Sequence, residues 1–203
     1  LINMPINKKK FFNNKYPGYT EFFSHMISKK KKTNMLLFNE KFSVCPLTTH
    51  ILLRDVEKKL NKAMLRKSIE NIYKFYKYKI KKKISIVVLG LNPHAGKDIA
   101  NSKDKALVKS VINSFKNKIN ISGPVPADTA FSNLNNKIFI GMYHDQVLTP
   151  FKMVNKFNGI NITIGNQLIR MSPDHGTAED LQNKNRLINN QSFLACISFC
   201  EKY

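Results

Sequence analysis

Acidic residues and arginine are scarce in this chain of 203 residues, cysteine is scarcer, and no stretch of about 18 consecutive apolar residues occurs. Each shortage excludes something. Without a long apolar run no segment reads as a membrane-spanning helix, and the basic Lys8-Lys9-Lys10 is not followed by the apolar core of a secretion signal. Cys45, Cys196 and Cys200 are odd in number and form no Cys-x-x-Cys pair, which argues against a disulfide framework and for a reducing compartment, the cytoplasm. With 34 lysines and arginines against 13 acids the formal net charge is +21, a balance that raises nucleic-acid binding. Yet only Arg54, Arg66, Arg170 and Arg186 are arginine, the side chain that forks onto bases and phosphates. The lysines run in blocks, Lys29 to Lys32 and Lys81 to Lys83, without interleaved aromatics, so they read as solvated faces and weigh against a nucleic-acid partner.

What is present is enough apolar material, 42% of residues, for one α/β unit over 1–203. No linker or internal repeat is visible, and residues 1–18 read as an irregular lead-in. Three apolar runs of strand length each lead into a histidine: Phe42 to His50, Ile84 to His94, and Lys137 to His144, with Asp145 and Gln146 directly behind the last. In open α/β sheets, ligands gather at the carboxyl ends of strands, where side chains leave the packed interior. Taken singly, each histidine is also an ordinary turn residue. Taken together, three imidazoles on neighbouring strand ends match a catalytic metal site, which uses three protein ligands and leaves a position open.

Between these runs the periodicity predicts a short helix from Thr20, with His25 at its edge, then strands over Met35–Phe38 and Phe42–Leu47. Leu60–Ile80 carries Leu65, Ile69 and Ile72 at helical spacing with lysines opposite, a crossover helix completing a βαβ unit with the strand Ile84–Leu89. A second helix is expected over Asp104–Lys118. The two prolines of Gly123-Pro-Val-Pro-Ala-Asp-Thr129 exclude helix and central strand and predict a rigid loop carrying Asp128. Ile160–Ile164 reads as a strand, followed by a loop ending in Arg170. A last helix over Ser192–Lys202 is expected to bury Phe193, Ile197 and Cys200.

Seven blocks in order carry a resemblance: Gly18-Tyr-Thr-Glu21, Thr48-Thr-His50, Gly90-Leu-Asn-Pro-His-Ala-Gly96, Gly123 to Thr129, Met142-Tyr-His-Asp-Gln146, Asn161-Ile-Thr-Ile-Gly165 and Asp174-His-Gly-Thr-Ala178. Together they resemble the 4-hydroxythreonine-4-phosphate dehydrogenase family. The resemblance implies an isopropylmalate-dehydrogenase-like α/β/α sandwich, present in part, and a homodimer with its site at the subunit interface. It also implies NAD- or NADP-dependent oxidation and decarboxylation of a small phosphorylated hydroxy amino acid in pyridoxal 5'-phosphate synthesis. The implied ligands of a divalent metal, zinc first and magnesium or cobalt as alternatives, are His50, His94 and His144, the third supplied by the partner subunit. The implied substrate contacts are Tyr19, Thr20, Lys152, Asn161 and Arg170, and the implied adenosine loop of the cofactor is Asp174-His175-Gly176-Thr177-Ala178, with His175 to Ala178 binding it. Asp128 and Asp145 are candidates for orienting a ligand or moving a proton, or else for capping their loops. A dehydrogenase of threonate 4-phosphate and a non-catalytic metal-binding remnant are the alternatives.

The departures from the family pattern are specific. Tyr19 stands where a histidine is usual, Lys97 replaces an acid with the following glycines lost, and Val147 replaces a glycine. Gln182-Asn-Lys-Asn185 replaces a glycine-containing turn, which bears on closure of the cofactor loop. The family's N-terminal Gly-Asp-Pro strand and loop have no counterpart, and the chain opens on Leu1, so it reads as a C-terminal portion.

Overall fold

The computed structural model describes residues 1–13, 15–16, 19–27, 33–177 and 189–203, except for the side chains of residues 8, 9, 20, 21, 24 and 27. Seven strands form one mixed sheet: β1 (Asn34–Phe38), β2 (Phe42–Pro46), β3 (Ser85–Leu89), β4 (Ile121–Val125), β5 (Lys137–Gly141), β6 (Ile160–Ile164) and β7 (Arg170–Pro173). Their order across the sheet is β4-β3-β5-β2-β1-β6-β7. The first four in that order are mutually parallel, and β1, β6 and β7 extend the sheet through antiparallel pairs. The crossover from β2 to β3 therefore spans one place, which β5 fills.

Strand alternation sends side chains to two faces, and helices cover both. On one face Phe38, Cys45, Ile86, Val88, Ile138 and Ile140 pack with helices α4 (Lys62–Phe75), α5 (Ser110–Asn113) and α8 (Gln191–Lys202). On the other, Leu37, Val44, Val87 and Phe139 meet Val147, Leu148 and Phe151 of α7 (His144–Asn155). After the short helix α3 (Leu53–Lys59), helix α4 starts where Asn61 Oδ1 accepts from the Met64 amide at 2.9 Å, and it buries Leu65, Ile69 and Ile72 on one stripe. It runs on as a π-helical turn, Tyr76–Ile80, and stops at Lys81, whose φ is 57°. Truncating a fully buried ring such as Phe139 or Phe151 costs about 3–5 kcal/mol, so these residues fix how α7 sits on the sheet.

Four expectations change. The lead-in is not irregular throughout: Ile2 bridges to Met171 beside β7, and α1 (Lys8–Phe12) follows. Helix α2 (Tyr19–Ile27) includes the expected helix, with Phe23 buried and His25 exposed. Residues 121–125 form the strand β4 at the sheet's edge, where Pro124 does not interrupt a central ladder, and Asp128 lies on the short helix α6 (Ala127–Ala130). Arg170 opens β7 and does not end a loop. Helix α8 buries Ser192, Cys196 and Phe199, a stripe one residue away from the expected one, because Phe199 inserts between Phe38 and Phe75. Among the described residues no helix is long and apolar enough to cross a membrane.

Candidate active site at the strand ends

The three histidine-bearing strands are neighbours, in the order β3, β5, β2, and run parallel, so their carboxyl ends share one edge. Polar side chains stitch that edge. Thr48 Oγ1 donates to the Met142 carbonyl at 2.8 Å, joining the ends of β2 and β5. Gln146 Oε1 accepts from the Met142 amide, and its Nε2 donates to the Gly90 carbonyl, each at 2.7 Å, joining the ends of β5 and β3.

On this edge His50 and His144 face each other with ring centroids 5.9 Å apart. That separation suits two imidazoles sharing one ion about 2.0–2.1 Å from each nitrogen. His144 is the first residue of α7, and its Nδ1 lies 2.8 Å from Asp145 Oδ1. A proton held on Nδ1 by that carboxylate leaves Nε2 as the free donor, which is the arrangement a metal-ligating histidine needs. Asp145 itself is exposed and points at the ring, not at the cavity.

Both histidines line a cavity of about 330 Å³ shared with Tyr19, Lys152, Asn161, Arg170, Asp174, His175 and Gly176. Lys152 Nζ donates to the Asp174 carbonyl at 2.7 Å and pairs with its carboxylate at 3.2 Å. Burial pushes the Asp174 carboxyl above its usual range, and the half-exposed Lys152 only partly offsets it. Arg170 is buried, donates from Nε to Asn3 Oδ1, and lies under the Tyr19 ring at 4.6 Å. Tyr19, standing where a histidine is usual, thus packs on a cation. The buried Asn161 Oδ1 has no hydrogen-bond partner among the described residues, an acceptor left for whatever fills the cavity.

Not every expected residue arrives here. His94 sits on an exposed turn after β3 and does not line the cavity, and no group of three metal-ligating side chains forms among the described residues. Asp128 is exposed on α6, away from the cavity lining. His175 Nδ1 lies 2.8 Å from the Gly176 carbonyl, and a Cβ added to Gly176 would touch nothing within 4 Å, so this loop is open to a ligand. Thr177 follows it, exposed. Ala178, residues 182–185 and the Thr20 side chain lie outside the described residues. Lys97 is exposed, and Val147 is fully buried against the sheet. The sequence reasoning missed Asn3, which lay in the supposed lead-in, and it placed Asp174 in the cofactor's adenosine loop without its pairing to Lys152 on the cavity wall.

The chain is similar to several known proteins along most of its length. A 4-hydroxythreonine-4-phosphate dehydrogenase of Aquifex aeolicus (strain VF5) is 40% identical over 200 residues, 96% of this chain and 62% of that protein. A protein of Oceanobacillus iheyensis, provisionally named D-threonate 4-phosphate dehydrogenase, is 31% identical over 205 residues, 97% of this chain and 61% of its own length. The solved structure of 4-hydroxythreonine-4-phosphate dehydrogenase from Klebsiella pneumoniae superposes with a TM-score of 0.81 at 29% identity, covering 99% of this chain and 63% of that one. The chain thus spans about 60% of the length of the curated relatives it matches. The sequence profile of the pyridoxal phosphate biosynthetic protein PdxA matches residues 1–200, and with its strand-end histidines and basic cavity the chain belongs to that family.

Proposed function

We propose that this chain carries the metal-binding and substrate-binding part of an NAD- or NADP-dependent dehydrogenase that oxidises and decarboxylates 4-phosphohydroxy-L-threonine to 3-amino-2-oxopropyl phosphate. The observation that carries the reading is a single cavity with paired imidazoles on one wall and Lys152, Arg170 and the unpartnered Asn161 oxygen on another. His50 and His144 offer ring nitrogens to a divalent ion, zinc before magnesium or cobalt given two or three imidazole donors. Asp145 keeps the His144 proton on Nδ1. Lys152 and Arg170 bind the substrate's anionic groups, with the guanidinium oriented by Asn3 and Tyr19. Asn161 Oδ1 accepts from a substrate ammonium or hydroxyl group. His175 and Gly176 on the cavity wall, with Thr177 and Ala178 following them in the sequence, are assigned to the cofactor. A divalent ion held by His50 and His144 would supply Lewis acidity toward the substrate hydroxyl and the ketone formed from it, and a nicotinamide would supply a hydride acceptor.

In this reading the fold is isopropylmalate-dehydrogenase-like over 1–203, and the protein is a homodimer in which His94 completes the partner subunit's metal site. The test measures metal content together with NADH or NADPH formation from 4-phosphohydroxy-L-threonine and from threonate 4-phosphate, for wild type and His144→Ala. Joint loss of metal and turnover in the variant is expected. Turnover of threonate 4-phosphate alone would move the reading to that substrate, and bound metal without turnover in wild type would reduce it to a metal-binding remnant.

A further inference from the structure

The turn that carries His94 is strained in an unusual way. His94 and Ala95 both take left-handed backbone angles, φ 51° and 53°, before Gly96 at 65°. Non-glycine residues resist that region at about 1–2 kcal/mol each, so surrounding structure must hold them there. At the centre of the turn lies Asp104, fully buried. Its Oδ1 accepts from the Leu91 amide at 2.6 Å, and its Oδ2 accepts from Asn92 Nδ2 at 2.8 Å and Ser102 Oγ at 2.7 Å. The glycines at either end leave room for it. A Cβ on Gly96 would stand 2.6 Å from Oδ2, and one on Gly90 would stand 3.0 Å from Oδ1.

We propose that Asp104 is the positioning residue for His94, its carboxylate gathering the donors of residues 91, 92 and 102 so that the turn presents the imidazole outward in one fixed pose. This rests on the reading of His94 as a ligand in the dimer's metal site. The three donors are neutral, and a carboxylate buried among neutral groups loses more hydration than an apolar side chain would. Stability alone is therefore a poor account of Asp104, whereas a single acceptor pair that pins both arms of one turn is a direct one.

The probe is cobalt(II), titrated into the whole chain as wild type, Asp104→Ala, Asp104→Asn, His94→Ala and a core truncation, Ile112→Val or Ile112→Ala, chosen to match the melting temperature of Asp104→Ala. Asp104→Ala is expected to weaken cobalt(II) binding about tenfold or more and to shift its visible bands toward those of His94→Ala. Asp104→Asn, which keeps one acceptor oxygen, falls between, and the core truncation stays near wild type. The metal-free His94 ring resonances should also broaden or shift in Asp104→Ala alone. Wild-type titration and ring signals in Asp104→Ala, or equal weakening in the matched core variant, would overturn the proposal. Should wild type take up no cobalt(II), the metal reading fails, and the His94 ring signal by itself decides whether Asp104 positions it.

Discussion

The ends of β2 and β5 and the end of β3 are built from the same plan, an apolar parallel strand followed by a histidine, yet they deliver their side chains differently. After β2 and β5 the chain turns tightly, Thr48 ties the two ends together, and His50 and His144 meet over the cavity. After β3 the chain instead folds around Asp104, and the left-handed His94 stands on an exposed turn. Strand position brings all three to one edge. The turn decides which of them face each other within the chain and which is left to face outward.

The sharpest way to break that contrast is to mix subunits. His94→Ala and His144→Ala should each lose turnover alone, whereas a reassociated one-to-one mixture should recover about a quarter of wild-type sites, because random pairing makes half the dimers mixed and each mixed dimer holds one intact site. No recovery would mean that all three histidines act within one subunit, and turnover kept by His94→Ala alone would mean that His94 is not a ligand. A second test acts on the bridge between the two regions. Gln146→Ala leaves the Met142 amide and the Gly90 carbonyl without their shared partner, and a loss of about 1–3 kcal/mol in chemical denaturation is expected. A smaller loss would show that the β3 turn stands independently of β5.

The smallest effect concerns the far wall of the cavity. Burial raises the Asp174 carboxyl above its unfolded value, so the protonated form favours the fold: this contribution is complete below the unfolded pKa and is lost as pH rises through the folded one. Asp174→Asn should therefore melt above wild type at pH 7, with the gap closing as the pH falls toward the acid range. Losing the Lys152 pair, worth under about 1 kcal/mol for a partner this exposed, works against the gain without reversing it. A lower melting temperature at pH 7 would show that the ion pair outweighs the burial.

Much of this was readable from local pattern. Apolar runs located β1, β2, β3 and β6 within a residue or two and β5 with its end three residues earlier than expected, and the Leu65, Ile69, Ile72 stripe marked the buried face of α4. Helix α8 was found but rotated, since Phe193, Ile197 and Cys200 are as apolar as the stripe that is buried, and only Phe38 and Phe75 across the core choose between them. Tyr19 could be recognised as a departure, but not as a lid on Arg170, because that contact joins residues far apart in the chain. The same holds for Asn3, whose partner Arg170 lies at the other end of the sequence.

The sequence by itself determined most of the strands, the longer helices, the family and the set of chemically capable residues, because strand and helix periodicity and short motifs are local properties of the chain. The tertiary structure alone decided that β5 inserts between β2 and β3, that His50 and His144 pair while His94 turns outward, and that a buried aspartate stands behind that turn. Those outcomes depend on which surfaces pack together and which buried polar atoms find partners, and neither is settled until the whole chain has closed on its core.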